Sequence, residues 1–282
     1  NQNKMQTTLQ IDTINTGNKI YHVHRASNVQ RPQLNFEPID NSTSIFIPKL
    51  STKYNAKISL EEVWKNYDKI IKQDQLLSAK NTDGQRETLC LPSPYEYEID
   101  NYEFLPSQSM PRKEILYKST EATPLTWVDN PEKLRLMSDK LEAVEEIAVD
   151  LEHHAYRSYQ GFTCLIQIST RTEDFIVDAL VLRSELIILN RSFTNPNIVK
   201  ILHGSDNDIL WLQRDFGVYI VNLFDTGQAA RSLEYPKLSL SYLLENFCSI
   251  TAEKKKFQLA DWRIRPLPED MLAYARSDTH YL

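Results

Sequence analysis

Ile147-Ala-Val-Asp-Leu-Glu152 decides how this chain folds. It is a short apolar run ending in two acidic residues, the pattern of a strand buried in a sheet. In a strand, residues two apart project from the same face. Asp150 and Glu152 therefore stand side by side next to a hydrophobic core. Burying such a pair without compensation costs several kcal/mol, so either one carboxyl carries a proton or a cation lies between them. An isolated Asp-x-Glu is more often just a solvated strand end, and the pair needs support from elsewhere.

Working outward, Thr163 to Ser169 and Phe175 to Val177 read as two further strands, Ile198 to His203 as a fourth and Tyr219 to Phe224 as a fifth. Three strands in succession, then strand and helix alternating, predict a mixed α/β sheet with helices on its faces. Pro131 to Leu141 reads as a helix, with Asp129-Asn130 as cap candidates and Pro131 in its first turn. Pro268 to Leu282 opens with Pro-Glu-Asp, a helix start. Residues 1–120 differ in texture: polar, Asn-rich and punctuated by proline, as in Leu91-Pro92-Ser93-Pro94. One helix is predicted there, from Ser59 to Ile71, with Ser59 and Glu62 at capping-box spacing. The reading is an extended, mostly irregular arm over 1–120 and a catalytic domain over 121–282.

Two more features join the acidic pair. His203-Gly-Ser-Asp-Asn-Asp208-Ile-Leu-Trp211 is a strand end, a glycine turn and a helix start. On a helix Asp206 and Asp208 point about 200° apart, so only one can face a shared site. Asp206 suits the helix start, where free N–H groups need acceptors. Asp208 shares a face with Trp211 and is the better metal candidate. On the last helix Tyr274 and Asp278, four apart, also share a face. Each feature alone is ordinary. Together they supply four carboxylates and one tyrosine, and this layout resembles the three motifs of the DEDD exonuclease superfamily in its tyrosine-bearing branch.

The likeness is closer than that. Asp150-Leu-Glu-His-His154, Gln167-Ile-Ser-Thr170, the stretch from His203 to Gln213, Gln258-Leu-Ala-Asp-Trp-Arg-Ile-Arg-Pro266 and Tyr274-Ala-Arg-Ser-Asp-Thr-His-Tyr281 resemble the eukaryotic nuclear exosome-associated exoribonucleases of the ribonuclease D family. Pro94 to Ile99 and Phe46 to Lys49 resemble the arm of the fungal form. The resemblance implies a ribonuclease-H-like, five-stranded mixed sheet with flanking helices and an arm packed on it. It implies a 3′→5′ exoribonuclease releasing nucleoside 5′-monophosphates from the 3′ end of single-stranded RNA, acting with the exosome core on rRNA, snoRNA and other nuclear RNAs in the nucleus and nucleolus. Asp150, Glu152, Asp208 and Asp278 would hold two divalent cations, and Tyr274 would orient the attacking water. On the family pattern His153 would contact the terminal nucleotide; Trp211 beside Asp208, and Lys255 and Gln258 in the basic run between the second and third motifs, are the further nucleotide-contact candidates. A helical HRDC domain is expected after residue 282. The chain opens on Asn1 and reads as a fragment, lacking the amino-terminal domain that binds a small nuclear partner protein. A DNA exonuclease of the same superfamily and a silent RNA-binding scaffold are the rival readings.

Bulk properties fit. Net charge is −6, with 17 basic and 24 acidic side chains in 121–282 against 15 and 14 in 1–120. An acidic domain can bind a polyanion once divalent cations offset its carboxylates. Oxygen-only ligands select Mg²⁺ or Mn²⁺ over zinc. Lys254-Lys-Lys256, Arg263 and Arg265, interleaved with Phe257 and Trp262, form a basic, aromatic run suited to single-stranded RNA, although such runs are ordinarily solvated faces. His153 and His154 lack partners at zinc spacing. Ser277, Asp278 and His280 lie too near one another on one helix to form a triad. Six glycines leave no phosphate loop. Cys90, Cys164 and Cys248 are too scattered for a disulfide framework. No uncharged apolar run approaches the roughly 18 residues that span a bilayer.

Overall fold

The computed structural model describes residues 9–16, 19–26, 29, 31–36, 45–78, 89–111, 113–155, 158–251, 257 and 260–282, with backbone alone for 9–16, 19–26 and 76–78. At its centre is the strand that the acidic pair ends. Strand β4 (Glu146–His154) buries Ile147, Ala148 and Val149 in succession. A strand covered on both faces shows such a continuous apolar run rather than alternation. β4 pairs antiparallel with β5 (Phe162–Ser169), whose eight residues are all buried, and parallel with β7 (Val199–Leu202).

The sheet has six strands in the order β3-β6-β5-β4-β7-β8, with β3 at Leu125–Val128, β6 at Asp174–Asp178 and β8 at Leu223–Asp225. The sequence predicts five. The additional strand, β3, is four residues long and pairs only with β6, so it carries little periodic signal. The strand expected over 219–224 begins only at Leu223, because Asn222 adopts φ 63°, which breaks an extended run. The buried backbone ahead of it is satisfied otherwise: Asn190 accepts from the Tyr219 N–H at 2.9 Å, and Phe193 O accepts from the Val221 N–H.

Helix α4 (Pro131–Leu141) starts where expected. Asn130 caps it by accepting from Lys133 N at 3.0 Å, while Asp129 pairs with the Lys133 ammonium. α4, α5 (Asn190–Phe193) and α6 (Asp206–Phe216) cover one sheet face, burying Leu134, Met137, Phe193 and Leu212. α9 (Glu269–His280) covers the other, with Met271 and Ala275 fully buried beside Phe162, Leu165 and Trp262. Between them run α7 (Thr226–Ser232) and α8 (Leu240–Leu243), the latter continued by a π-helical turn to Cys248.

The arm contains more regular structure than its composition suggests. β1 (Leu9–Thr16) and β2 (Lys19–Ala26) form an antiparallel hairpin. α1 runs from Leu60 to Ser78, past the predicted end, and the predicted capping box is present: Glu62 N donates to Ser59 Oγ at 3.2 Å and Ser59 N to Glu62 Oε2 at 2.9 Å. α2 (Glu96–Asp100) and α3 (Pro106–Ser109) follow. Arm and sheet share a core: Tyr95 is fully buried with its ring 5.5 Å from Tyr219, and Gln108 donates to Asn222. Among the described residues no helix is long and apolar enough to cross a membrane.

Candidate active site

Asp150 and Glu152 leave β4 on one face and are half-buried, as their spacing predicts. Just beyond, the ladder slips. Glu152 pairs with Leu165 but His153 with Thr163, so Cys164 is an extra residue in β5. Such a bulge re-aims the side chains that follow it, here His153 and His154. Gln167, opposite Asp150, donates its amide to Glu152 Oε1 at 3.3 Å.

The third carboxylate comes from α9. Its position is fixed by contacts to β5, to β6 and to the carbonyl of Lys118. Ser169 and Thr279 hydroxyls meet at 2.8 Å, Arg276 binds Asp174 at 2.7 Å, and His280 bridges Asp174 and the Lys118 carbonyl. With the helix so held, oxygen atoms of Asp150, Glu152 and Asp278 all lie within 4.8 Å of one another. Three carboxylates this close repel strongly unless cations or protons intervene. The donor set contains carboxylate oxygen only, the kind that suits a hard divalent cation.

Tyr274 lies over this group, its ring packed near Phe257 and Trp262 at 5.3 and 6.1 Å. Burial raises its hydroxyl far above the ordinary phenol range, and Asp278, Glu152 and Asp150 raise it further, Asp278 also by accepting its hydrogen bond. It holds its proton and serves as a donor.

Asp208 sits in the first turn of α6, buried, whereas Asp206 is exposed. That separation is the one the helical angle predicts. The cap differs from expectation: Ser205, not Asp206, is the N-cap residue, and Asp225 accepts from the backbone N–H groups of Gly204 and Ser205. Burial and then the charge of Asp225 push the Asp208 carboxyl up to about 7. Asp225 itself stays ionised. Burial raises it, but hydrogen bonds from Ser205, Gly204 and Gln228 outweigh that and hold it below the usual carboxylate range. Asp208 is not in the mutually close group of three carboxylates.

His153 and Trp211 stack face to face, centroids 4.1 Å apart and planes 6° from parallel. Lys255 and Gln258 lie outside the described residues, as do Lys254 and Lys256. The rest of the basic run corrects the sequence reading. Arg263 is buried and bound to Asp261 by two contacts of 2.7 Å, and Arg265 to Asp178 at 2.6 and 2.8 Å. Phe257 and Trp262 are buried in the core beneath α9. These side chains brace the site from within. Gln167 lies in a motif the sequence shows but is not singled out there as a site residue, and Asp225 shows only as an Asp at a strand end before Thr-Gly, where it caps α7.

Fold and site together define an α/β class of protein whose clustered carboxylates could hold divalent cations at the end of a central strand. A profile of the 3′-5′ exonuclease family matches residues 125–282, more than half of the chain. The chain is 50% identical over 256 residues to the exosome complex exonuclease RRP6 of Saccharomyces cerevisiae, covering 90% of this chain and 33% of that protein. It is 47% identical over 274 residues to exosome complex component 10 of Rattus norvegicus, covering 93% and 31%. Among solved structures it resembles the catalytic core of RRP6 from Trypanosoma brucei, with TM-score 0.73 and 41% identity over 90% of this chain and 63% of that one. It also resembles Escherichia coli RNase D, with TM-score 0.53 and 25% identity, covering 56% and 42%. This chain belongs to the 3′-5′ exonuclease family. It spans about a third of the length of these curated relatives.

Proposed function

We propose that the chain is the catalytic portion of a 3′→5′ exoribonuclease that acts with the nuclear exosome. The carrying observation is the meeting of Asp150, Glu152 and Asp278 within 4.8 Å under Tyr274, in a chain of this family. The identity of its relatives, exosome components in yeast and rat, supports RNA as substrate and the exosome as partner. Nuclear and nucleolar location and a small nuclear cofactor protein belong to the same reading.

Asp150, Glu152, Asp278 and Asp208 would hold two Mg²⁺ or Mn²⁺ ions. When bound, such a pair activates the attacking water and stabilises the leaving 3′ oxygen. The protein's own groups do the rest. Tyr274 donates a hydrogen bond and orients the water, and its raised hydroxyl excludes it as the base. Gln167 steadies Glu152. The His153–Trp211 stack offers a flat surface to the terminal nucleotide, with Lys255 and Gln258 as further contacts.

A 3′-labelled and 5′-labelled RNA ladder tests this. Mg²⁺ should give stepwise shortening from the 3′ end with release of nucleoside 5′-monophosphates. EDTA or a 3′-phosphate should stop it. Matched DNA degraded at an equal or greater rate would favour a DNA exonuclease, and no turnover with Mg²⁺ or Mn²⁺ would refute catalysis.

A further inference from the structure

His153 is held by a closed circuit of contacts that the chemistry at the carboxylates does not use. Its backbone pairs with Thr163 across the sheet. Thr163 donates its N–H and hydroxyl to Asp215 Oδ2 at 2.8 and 2.9 Å. Asp215, almost wholly buried, accepts from Arg214 Nε at 2.9 Å and is ion-paired with Arg183 at 3.0 Å. Arg214 closes the circuit, its Nη2 lying 3.3 Å from His153 Nε2. The same guanidinium donates to the carbonyls of Gln160 and Gly161, at 2.9 and 3.2 Å. The loop is thereby pressed on the imidazole: a Cβ on Gly161, which has φ 64°, would stand 2.1 Å from His153 Cε1.

An arginine has donors only. His153 Nε2 must therefore accept, and the proton of a neutral ring resides on Nδ1. α6 indexes the whole arrangement. Asp208, Trp211 and Arg214 recur at three-residue intervals on one side of the helix, so one element sets a metal-binding carboxylate, the stacking partner of His153 and the group that orients it.

We propose that Arg214, braced by Asp215, is a positioning residue that fixes His153 flat on Trp211, with its Nδ1–H as the single donor presented to an oxygen of the terminal nucleotide. The inference rests on the reading of His153 as a nucleotide contact. Arg214 need not touch RNA, and it acts on substrate affinity rather than on the chemical step.

The test uses the full chain with Arg214→Lys, Arg214→Met, His153→Ala and the Arg214→Met/His153→Ala double variant. The lysine variant leaves Asp215 a cationic partner, and so preserves folding. Its one ammonium cannot serve Asp215, the loop carbonyls and His153 together. Both Arg214 variants should raise KM for RNA about tenfold, the worth of one hydrogen bond, with kcat little changed and the lysine variant at wild-type Tm. His153→Ala should do the same, and the double variant should be no worse than His153→Ala. Nitrogen-15 NMR of the histidine rings should show His153 as the Nδ1–H tautomer in the wild type and as a mixture in Arg214→Lys. An Nε2–H tautomer in the wild type, or Arg214 effects that add fully to those of His153→Ala, would overturn the role of Arg214. A normal KM in His153→Ala would overturn the nucleotide-contact reading and this proposal with it, while leaving the carboxylate mechanism standing.

Discussion

Asp225 accepts hydrogen bonds from both the backbone N–H and the hydroxyl of Ser205, at 2.8 and 2.9 Å, and so ties the end of β8 to the first turn of α6. It also accepts from Gly204, Gly227 and Gln228, capping α7. One buried carboxylate thus sets the position of Asp208, with which it shares no sequence motif. Asp225→Ala removes an N-cap and several charge-assisted hydrogen bonds, an expected loss of about 3 kcal/mol, read by urea denaturation. Activity should fall with it even where the variant is fully folded, because the Asp208 turn loosens.

The three-carboxylate cluster sets stability against function. Asp150→Asn should reduce turnover by at least ~10²-fold, the scale for removing one electrostatic contact from a transition state. Because it relieves like-charge repulsion, the metal-free variant should melt at or above the wild-type temperature in EDTA. It should also lose most of the Tm increase that Mn²⁺ gives the wild type. Wild-type turnover in this variant would sink the metal-site assignment.

Tyr274→Phe keeps the ring between Phe257 and Trp262 and deletes only the hydroxyl. Expected are a near wild-type Tm, an unchanged KM and a kcat lower by roughly 10²-fold, the contribution of a positioned hydrogen-bonding group. A large KM change with kcat preserved would instead place the hydroxyl on the substrate.

Asp208 makes the stability of the metal-free protein pH-dependent. Its folded carboxyl is raised from an ordinary 3.8 to about 7, so the folded state holds a proton that the unfolded chain has released. The contribution is fully present below about pH 4 and is lost as pH rises through 7. In EDTA the melting temperature should therefore fall between pH 5 and 8, and Asp208→Asn should flatten that slope. A divalent cation binds the ionised form, so the stabilisation by Mn²⁺ should grow over the same interval. A pH-independent Mn²⁺ shift would show that Asp208 takes no part in holding metal.

Much of the site is legible in local spacing. The i, i+2 pair of Asp150 and Glu152, the i, i+4 pair of Tyr274 and Asp278, and the choice of buried Asp208 over exposed Asp206 all follow from strand and helix geometry. The Ser59–Glu62 capping box and the Asn130 cap are equally local. In the basic run, Arg263 and Arg265 depart from the RNA-facing expectation for the converse reason. Charge along the chain says nothing of which way Arg263 and Arg265 turn, and both turn inward to Asp261 and Asp178.

Backbone periodicity, being a property of successive residues, lets the sequence alone determine the buried central strand, the helix starts and the residues able to share a face. Only the tertiary structure decided which faces meet. Strand order carries β4 beside β5 and β7, and α9 is pinned to β6 by Arg276 and His280, both on Asp174. The closeness of Asp278 to Asp150, the stacking of His153 on Trp211 and the capture of Ser205 by Asp225 are therefore products of packing between segments far apart in the chain. Non-local contacts of this kind are selected by burial and complementary hydrogen bonding, and a single linear pattern carries no record of them.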